Sequence, residues 1–186
     1  MQFRSISGFV VAVAVCMSAN SAPAADAENP AYKNWAKFKV GSWSKVAGES
    51  AAAGTTTKTE MTYKLVELTP DKAVVELVTS MDAGGTKMDL PAQKMEIPAK
   101  GPAAGATGAP DAPKPDMKES TEEVEVAGKK VKCKVTEVKT DANGMKMTSK
   151  SWTSEDVPGG LVKMESNGEG AMKMSSKMTL SGFEAK

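Results

Sequence analysis

Most of the chain after residue 40 alternates between apolar and charged side chains with a period of two. In the stretch Val131-Lys132-Cys133-Lys134-Val135 every second residue is apolar and the residues between them are lysines. Successive side chains of a β-strand point to opposite faces of a sheet, so this pattern predicts strands with one buried face and one solvated face. We expect an all-β domain with one short N-terminal helix, built as a curved antiparallel sheet or half-barrel of about eight or nine strands.

The boundaries of these elements follow from periodicity and turn residues. Asn29-Pro30 is typical of a helix start, and the aromatic residues after it predict a helix over about residues 30–38. Two prolines in segment 87–99 predict an edge strand or an extended arm. Turns are predicted at Asn143-Gly144 and from Asn167 to Gly170. The other strands are predicted at 40–48, 55–68, 73–81, 124–135 (a hairpin), 145–153, 161–166 and 172–184.

The first 25 residues have the composition of a signal peptide. Arg4 supplies the positive charge, an apolar run follows, and small residues ending at Ala24-Ala25 offer a cleavage site. Cys16 lies inside this leader, and Val15 before it fits a lipoprotein acylation site poorly. The apolar run is short for a transmembrane helix, and no later segment of the sequence comes closer to the length and hydropathy that such a helix needs. The chain is therefore expected to be exported, to the periplasm or the extracellular space.

Residues 26–186 are expected to form a single exported β domain. A stretch rich in Pro, Ala and Gly at about 98–116 has few side chains to bury, so it predicts a flexible insert within that domain. Cleavage near Ala24-Ala25 leaves Cys133 as the one thiol, and the alternation places Cys133 on the buried face.

Composition excludes several classes of function. The chain has no histidine, so a Ser-His-Asp triad, a Cys-His pair and a histidine-ligated zinc site cannot form. Its lysines and carboxylates are interspersed, and Arg4 is the one arginine, which argues against nucleic-acid binding. Acidic pairs such as Glu155-Asp156 lie in settings typical of solvated charge. We therefore expect neither an enzyme nor a cofactor.

Methionine is the one unusual excess, with 13 residues. Alternation places several methionines on the predicted buried face, where flexible thioethers can pack in a core or adapt to a ligand. We expect an apolar ligand face on the concave side of the sheet, made of Trp35, Met61, Met147, Met164, Met174, Met178 and Leu180.

An alternative use of the methionines is metal binding. Thioethers are soft ligands that suit Cu(I), and an exported protein can meet copper. The segment Met145-Lys146-Met147-Thr148-Ser149-Lys150 is nearly repeated as Met172-Lys173-Met174-Ser175-Ser176-Lys177, and this repeat predicts two similar strands that bracket a third. The alternative Cu(I) ligands are Met145, Met147, Met172 and Met174.

Two segments carry a resemblance to a known group. The strand-loop-strand string from Trp152 to Lys163 and the hairpin from Val124 to Val135 resemble those of exported bacterial curved-sheet proteins of the lipoprotein-carrier half-barrel group, mainly over residues 120–184. The resemblance implies an unclosed antiparallel barrel with a helical lid over an apolar hollow that can hold lipid. The chain departs from the group in having one clear helix and no arginine after the leader.

These observations favour a non-enzymatic binding or carrier-like module for an apolar or lipid group in the cell envelope. Cu(I) binding through methionine is one alternative. A structural envelope protein that holds an unidentified protein partner is another.

Overall fold

The structure, a computed structural model, describes residues 27–52, 54–101, 116–142, 145–170 and 173–186. The predicted leader with its cleavage site and Cys16 lies outside the described residues. So do residues 102–115 of the predicted insert, the Asn143-Gly144 turn, Met172, and the side chain of Met145.

The described chain forms one helix and nine strands, which confirms the all-β prediction. Helix α1 spans Pro30–Trp35. The strands are β1 (Trp43–Ala52), β2 (Thr55–Leu68), β3 (Lys72–Ala83), β4 (Thr86–Pro98), β5 (Asp116–Val126), β6 (Lys129–Ala142), β7 (Met145–Thr153), β8 (Leu161–Glu169) and β9 (Met174–Glu184). They form a single curved, unclosed sheet in the order β4-β3-β2-β1-β9-β8-β7-β6-β5, and every neighbouring pair is antiparallel. Within the described residues, no helical segment has the length and hydropathy needed to cross a bilayer.

Helix α1 begins as predicted and ends earlier than predicted. The Asn29 side chain accepts a hydrogen bond from the Ala31 backbone N–H at 3.0 Å, and Pro30 occupies the first turn, where its missing N–H costs nothing. The predicted end at residue 38 is wrong, because Phe38 donates its N–H to the Trp35 carbonyl in a tighter three-residue turn. Phe38 is nevertheless buried, which explains the apolar spacing that extended the prediction.

The segment with two prolines forms edge strand β4, one of the two forms predicted for it. The register between β3 and β4 shifts between Leu77 and Thr79, where the partners change from Gln93 to Leu90, so Pro91 lies within the irregular stretch. A residue without an N–H is tolerated there because the outer side of an edge strand has no partner strand.

The predicted turn at residues 167–170 begins too early. Asn167 and Gly168 continue β8, and Gly168 pairs with Met147 of β7 on one side and with Met174 of β9 on the other. β8 is an interior strand, so pairing on both sides overrides the local turn preference of an Asn-Gly pair.

The two copies of the sequence repeat pair with the same residues of one strand. Strands β7 and β9 flank β8, as the repeat predicts, and its two copies lie opposite the same β8 residues. The four resulting rows are Met147/Gly168/Met174, Thr148/Asn167/Ser175, Ser149/Ser166/Ser176 and Lys150/Glu165/Lys177.

One face of the sheet carries charges that alternate in sign from edge to edge. A single row of register partners crosses all nine strands with a lysine and a carboxylate in turn, and we call it the charge belt: Lys87, Asp82, Lys58, Glu49, Lys177, Glu165, Lys150, Glu137 and Lys118. Opposite charges on directly paired residues stabilise a sheet, whereas like charges destabilise it. The belt therefore favours the observed register at every strand pair.

The opposite face, which we call the apolar face, buries most of the core. One cluster of buried residues lies beneath α1, on β2, β3 and β4: Trp35, Leu65, Ala73, Val75 and Ile97. A larger cluster joins the centre of the sheet to the β5–β6 hairpin and to the loop between β7 and β8: Val46, Val126, Val131, Cys133, Val135, Trp152, Val157, Val162, Met164, Met178 and Leu180. Its members on β5, β6 and β7 share the face of the charge belt, since Val135 is two positions from Glu137 and Trp152 is two positions from Lys150. The loop touches the helix, since a side chain at Gly159 would lie 3.0 Å from the Trp35 ring.

Candidate functional site

The apolar face changes character along its strands. Near α1 it is closed, with Leu65, Val75 and Val46 at most 1% exposed. We call this part the sealed end. Further along the same strands the side chains become small and half-buried, and this part is the open end. A row of four serines on neighbouring strands, the serine row, crosses it: Ser50, Ser176, Ser166 and Ser149.

The register places the predicted apolar ligand residues of the strands on this one face. Met61 is opposite Val46, which is opposite Leu180 on its other side. Met178 is opposite Met164 in the next row. Beyond the serine row, Met147 and Met174 each lie opposite Gly168.

Burial divides these residues into two groups. Leu180, Met164 and Met178 are 3%, 4% and 6% exposed, so their side chains belong to the packed core. Met61 and Met147 are half-buried and Met174 is 36% exposed, so these three remain within reach of a ligand.

Trp35 lies at the sealed end, apart from the accessible methionines. Its ring is 4% exposed and packs in the cluster that contains Leu65 and Val75. The structure therefore places it where the helix closes the sheet.

Met147 and Met174 lie on either side of a glycine. An ideal Cβ built on Gly168 would lie 3.8 Å from Met174 Cβ and 4.0 Å from Met147 Cγ. Gly168 is buried although it has no side chain, because the two methionines on its flanking strands cover it. Of the four methionines in the alternative Cu(I) set, these are the two whose side chains the structure describes.

Two shallow depressions adjoin the sheet centre. One, of about 330 Å³, lies at the outer end of β1, β8 and β9 and includes Ala52, Gly168 and Met174 of the apolar face. The other, of about 320 Å³, lies above Ala47 and Thr179 between charged side chains. The first is also lined by Ala51, Asn167, Glu169 and Ser175 of the charged face, so it lies at the strand ends and exposes Gly168 and Met174 to solvent.

The sequence reasoning missed the small residues of the open end. Ser149 and Ser176 stand two positions after Met147 and Met174 in the repeat, so period-two alternation puts them on the same face as those methionines. Reading the repeat for its serines as well as its methionines is the signal that would have found the serine row.

A second missed feature surrounds Trp152. Its indole Nε1–H donates to Glu122 Oε2 at 2.7 Å, and Lys150 donates to Glu122 Oε1 at 3.1 Å. The ammonium groups of Lys150 and Lys163 lie 4.6 and 4.3 Å from the Trp152 ring centroid. The hydrogen bond from Trp152, and then the one from Lys150, holds the pKa of Glu122 below its usual value. This cluster ties edge strand β5 to β7.

Cys133 is fully buried, as predicted. Burial, followed by the nearby Glu122 charge, raises the pKa of its thiol, so the reactive thiolate is disfavoured. Across the ranges that the structure describes, no group of three or more Cys, Asp or Glu residues converges as a metal site.

No protein-family model matches this sequence, and no curated protein matches it. Several solved structures are similar to this chain over most of its length. A protein of Bacteroides fragilis NCTC 9343, described as exported with a YmcC-like fold, is 11% identical with a TM-score of 0.45, and the match covers 79% of this chain and 97% of that one. A protein of Parabacteroides distasonis ATCC 8503, described as a lipoprotein, is 12% identical with a TM-score of 0.44, over 79% of this chain and 96% of that one.

The third is a Vibrio parahaemolyticus domain described as an outer membrane lipoprotein-sorting protein domain. It is 13% identical with a TM-score of 0.25, over 83% of this chain and 89% of that one. The predicted resemblance to exported curved-sheet proteins of the lipoprotein-carrier group is confirmed, and it extends over most of the chain. At these identities and TM-scores it is a likeness of fold alone.

Proposed function

We propose that this chain is a non-enzymatic, exported module of the cell envelope that holds an apolar group, such as a lipid acyl chain, against the open end of its apolar face. The observation that supports the proposal is the change along that face, from a packed core near α1 to a half-buried surface of small residues bordered by methionines.

Side-chain size supports an apolar guest at the open end. Serine and glycine leave space above the sheet where the sealed end has valine and leucine. Methionine beside that space is flexible and polarizable, so it can adapt to a guest of irregular shape. The serine hydroxyls can donate to or accept from water or a polar headgroup.

The distribution of charge also favours the apolar face as the binding side. The charge belt, on the other face, alternates in sign and offers neither a cationic nor an anionic surface to a charged partner. The apolar face is therefore the side on which an uncharged chain would bind.

The test compares two neighbouring serines that lie on opposite faces. Ser176 is half-buried in the serine row, whereas Ser175 is exposed on the charged face. Ser176→Leu fills the open end, and Ser175→Leu adds the same side chain outside it. We expect the leaderless protein to take up a fluorescent fatty acid, Ser176→Leu to weaken that binding at least about tenfold, and Ser175→Leu to leave it unchanged.

Native mass spectrometry of the protein purified from its own host provides a second readout. A bound lipid mass supports the proposal. A clean apo mass together with no fatty-acid uptake would remove it, and a stable crosslinked partner without lipid would favour the structural alternative.

A further inference from the structure

We propose that Met147 and Met174 form a thioether site for Cu(I) above Gly168, at the outer edge of the open end. The site goes beyond the proposed function, because it needs no lipid and uses sulfur atoms in place of apolar surface.

The three residues come from adjacent strands in one row. β8 carries Gly168, and Met147 and Met174 lie opposite it on β7 and β9. Both side chains come within 4.0 Å of the point where a Cβ of residue 168 would stand. Met147 Sδ is bonded to the Cγ that makes this approach, and Met174 Sδ is two bonds from its Cβ. Ordinary rotamer changes can therefore direct both sulfurs to a shared ion.

Gly168 is an independent indication of a ligand. Glycine in the interior of a strand costs conformational entropy and contributes no packing, and it often marks a place where a ligand or another backbone approaches closely. At Gly168, β8 is paired with strands on both sides, so a β-branched residue would stabilise it better. Any larger side chain at 168 would stand between the two methionines.

Accessibility separates this pair from Met164 and Met178 on the same face. Met164 and Met178 are also register partners, but they are 4% and 6% exposed and serve as core. Met174 is 36% exposed, Met147 is half-buried, and the depression of about 330 Å³ reaches Gly168 and Met174. An ion in solvent can therefore reach Met147 and Met174 but not Met164 and Met178.

The ligand chemistry selects the ion. Thioethers are neutral and soft, and they suit Cu(I), whereas Zn²⁺ and Cu(II) sites are built mainly with imidazole, thiolate or carboxylate. The chain has no histidine, and its Cys133 thiol is fully buried. Lys146 and Glu169, the nearest charged residues on β7 and β8, face each other as register partners on the charged face, so their charges offset each other.

The decisive experiment observes the methionine methyl groups. The leaderless protein, labelled with ¹³C at the methionine methyls and kept free of oxygen, is titrated with Ag(I) as a redox-inert probe and then with Cu(I). We expect the Met147 and Met174 methyl signals to shift at one equivalent, while those of Met164, Met178 and the distant Met88 do not. Absence of a shift at Met147 and Met174 overturns the proposal, and so does a response of Met164 and Met178 in their place.

Variants separate the thioethers from their apolar bulk. Methionine to leucine is close to volume-conserving, so the double variant Met147→Leu/Met174→Leu should stay folded. We expect it to weaken Cu(I) binding, measured by competition with a Cu(I) chelator, at least about tenfold. Met81 and Met88 are direct register partners with no glycine between them, and Met88 is 50% exposed, so Met81→Leu/Met88→Leu tests whether any accessible methionine pair suffices. We expect this second double variant to have no effect. Gly168→Leu keeps both sulfurs but occupies the space between them, and it should weaken binding as well.

Unchanged affinity in the Met147→Leu/Met174→Leu protein ends the proposal, since the ion must then bind elsewhere. Ser176→Leu, which should impair fatty-acid uptake, keeps both sulfurs and Gly168, so its Met147 and Met174 methyl signals should still shift with Ag(I). The experiments can therefore refute the metal site without refuting the proposed binding of an apolar group, and the reverse.

Discussion

The two ends of the apolar face share one set of strands and differ in what fixes their structure. At the sealed end, α1 covers Leu65 and Val75, and close packing leaves one way to align β2 with β3. At the open end the side chains are serine, glycine and alanine, which pack little. Strands of this composition define their register weakly and are prone to slip.

The charge belt lies directly behind the open end. Glu49 stands between Gly48 and Ser50 in β1, and Glu165 stands between Met164 and Ser166 in β8. The strongest alternation of charge therefore occurs where the opposite face has the least packing. We infer that register is specified by hydrophobic packing at the sealed end and by charge pairing at the open end, which leaves the open face free of bulky side chains.

The largest expected effect tests the difference in packing. Leu65→Ala leaves a cavity in a closed core and should lower the free energy of unfolding by about 2–5 kcal/mol. Met174→Ala, on the same face at the open end, should cost less than about 1 kcal/mol, because the residue is 36% exposed. Urea unfolding of both proteins measures the difference. Equal costs would mean that the two ends are packed alike.

A smaller effect is expected at two tryptophans that each donate an indole N–H to a glutamate. Trp152 is 4% exposed and donates to Glu122, whereas Trp43 lies nearer the surface and donates to Glu184 at 3.0 Å. Trp152→Phe should destabilise the protein by about 1–3 kcal/mol, through lost packing and a lost donor, and Trp43→Phe by less than about 0.5 kcal/mol. Thermal unfolding of the two variants measures the difference in their loss of stability. A larger loss for Trp43→Phe would contradict the assignment of Trp152 to the core.

The same contact predicts a dependence on pH. The pKa of Glu122 is lowered in the folded protein from its ordinary value of 4.5, so its ionised form stabilises the fold above that value and the contribution is lost as pH falls through the folded pKa. Glu122→Gln should therefore unfold at lower urea than the parent protein at neutral pH, and at the same urea concentration in strong acid. A difference that persists unchanged in acid would show that the carboxylate charge is not the cause.

The alternation in the sequence predicted most of the sheet. Strand β2 begins and ends at the predicted residues, and Cys133 is buried as Val131 and Val135 around it required. Each of these inferences uses only the period of two, which every residue of a strand obeys.

What the sequence did not reveal depends on pairing between strands. Asn167-Gly168 has strong local turn preference, and only its partners on both sides keep it in β8. The charge belt joins residues as distant as Lys87 and Lys118, so it becomes visible only when the strand order is known. The sequence predicted only part of the Met147–Gly168–Met174 row. The repeat identified both methionines, but it did not indicate that Gly168 lies between them.

Filling the open end should stabilise the protein while it impairs binding. Ser166→Val places a β-branched apolar side chain in the serine row and should raise the free energy of unfolding by up to about 1 kcal/mol. Asn167→Val, on the charged face of the same strand, controls for the gain in strand propensity alone. Fatty-acid uptake should fall only in Ser166→Val. If Ser166→Val destabilises the fold, the serine row is already closely packed and the contrast between the two ends is weaker than the exposures indicate.

The smallest expected effect concerns the charge belt. Glu165 lies between Lys150 and Lys177 in the belt, and its carboxylate is 2.9 Å from Lys163 and 3.9 Å from Lys177. Glu165→Lys places like charges opposite each other and should destabilise the protein by roughly 0.2–1 kcal/mol, with Glu165→Gln in between. High salt should reduce the difference, because exposed charges are screened.

Hydrogen exchange shows where the belt acts. If charge sets the register at the open end, Glu165→Lys should speed amide exchange around Ser166 and Ser176 and leave exchange around Leu65 unchanged. Uniform acceleration would mean that the belt stabilises the whole sheet without specifying any part of it. Acceleration confined to the open end would instead show that charge pairing specifies the register there in place of packing. Such an arrangement keeps the open face free for a ligand, since a core of large side chains would occupy that surface.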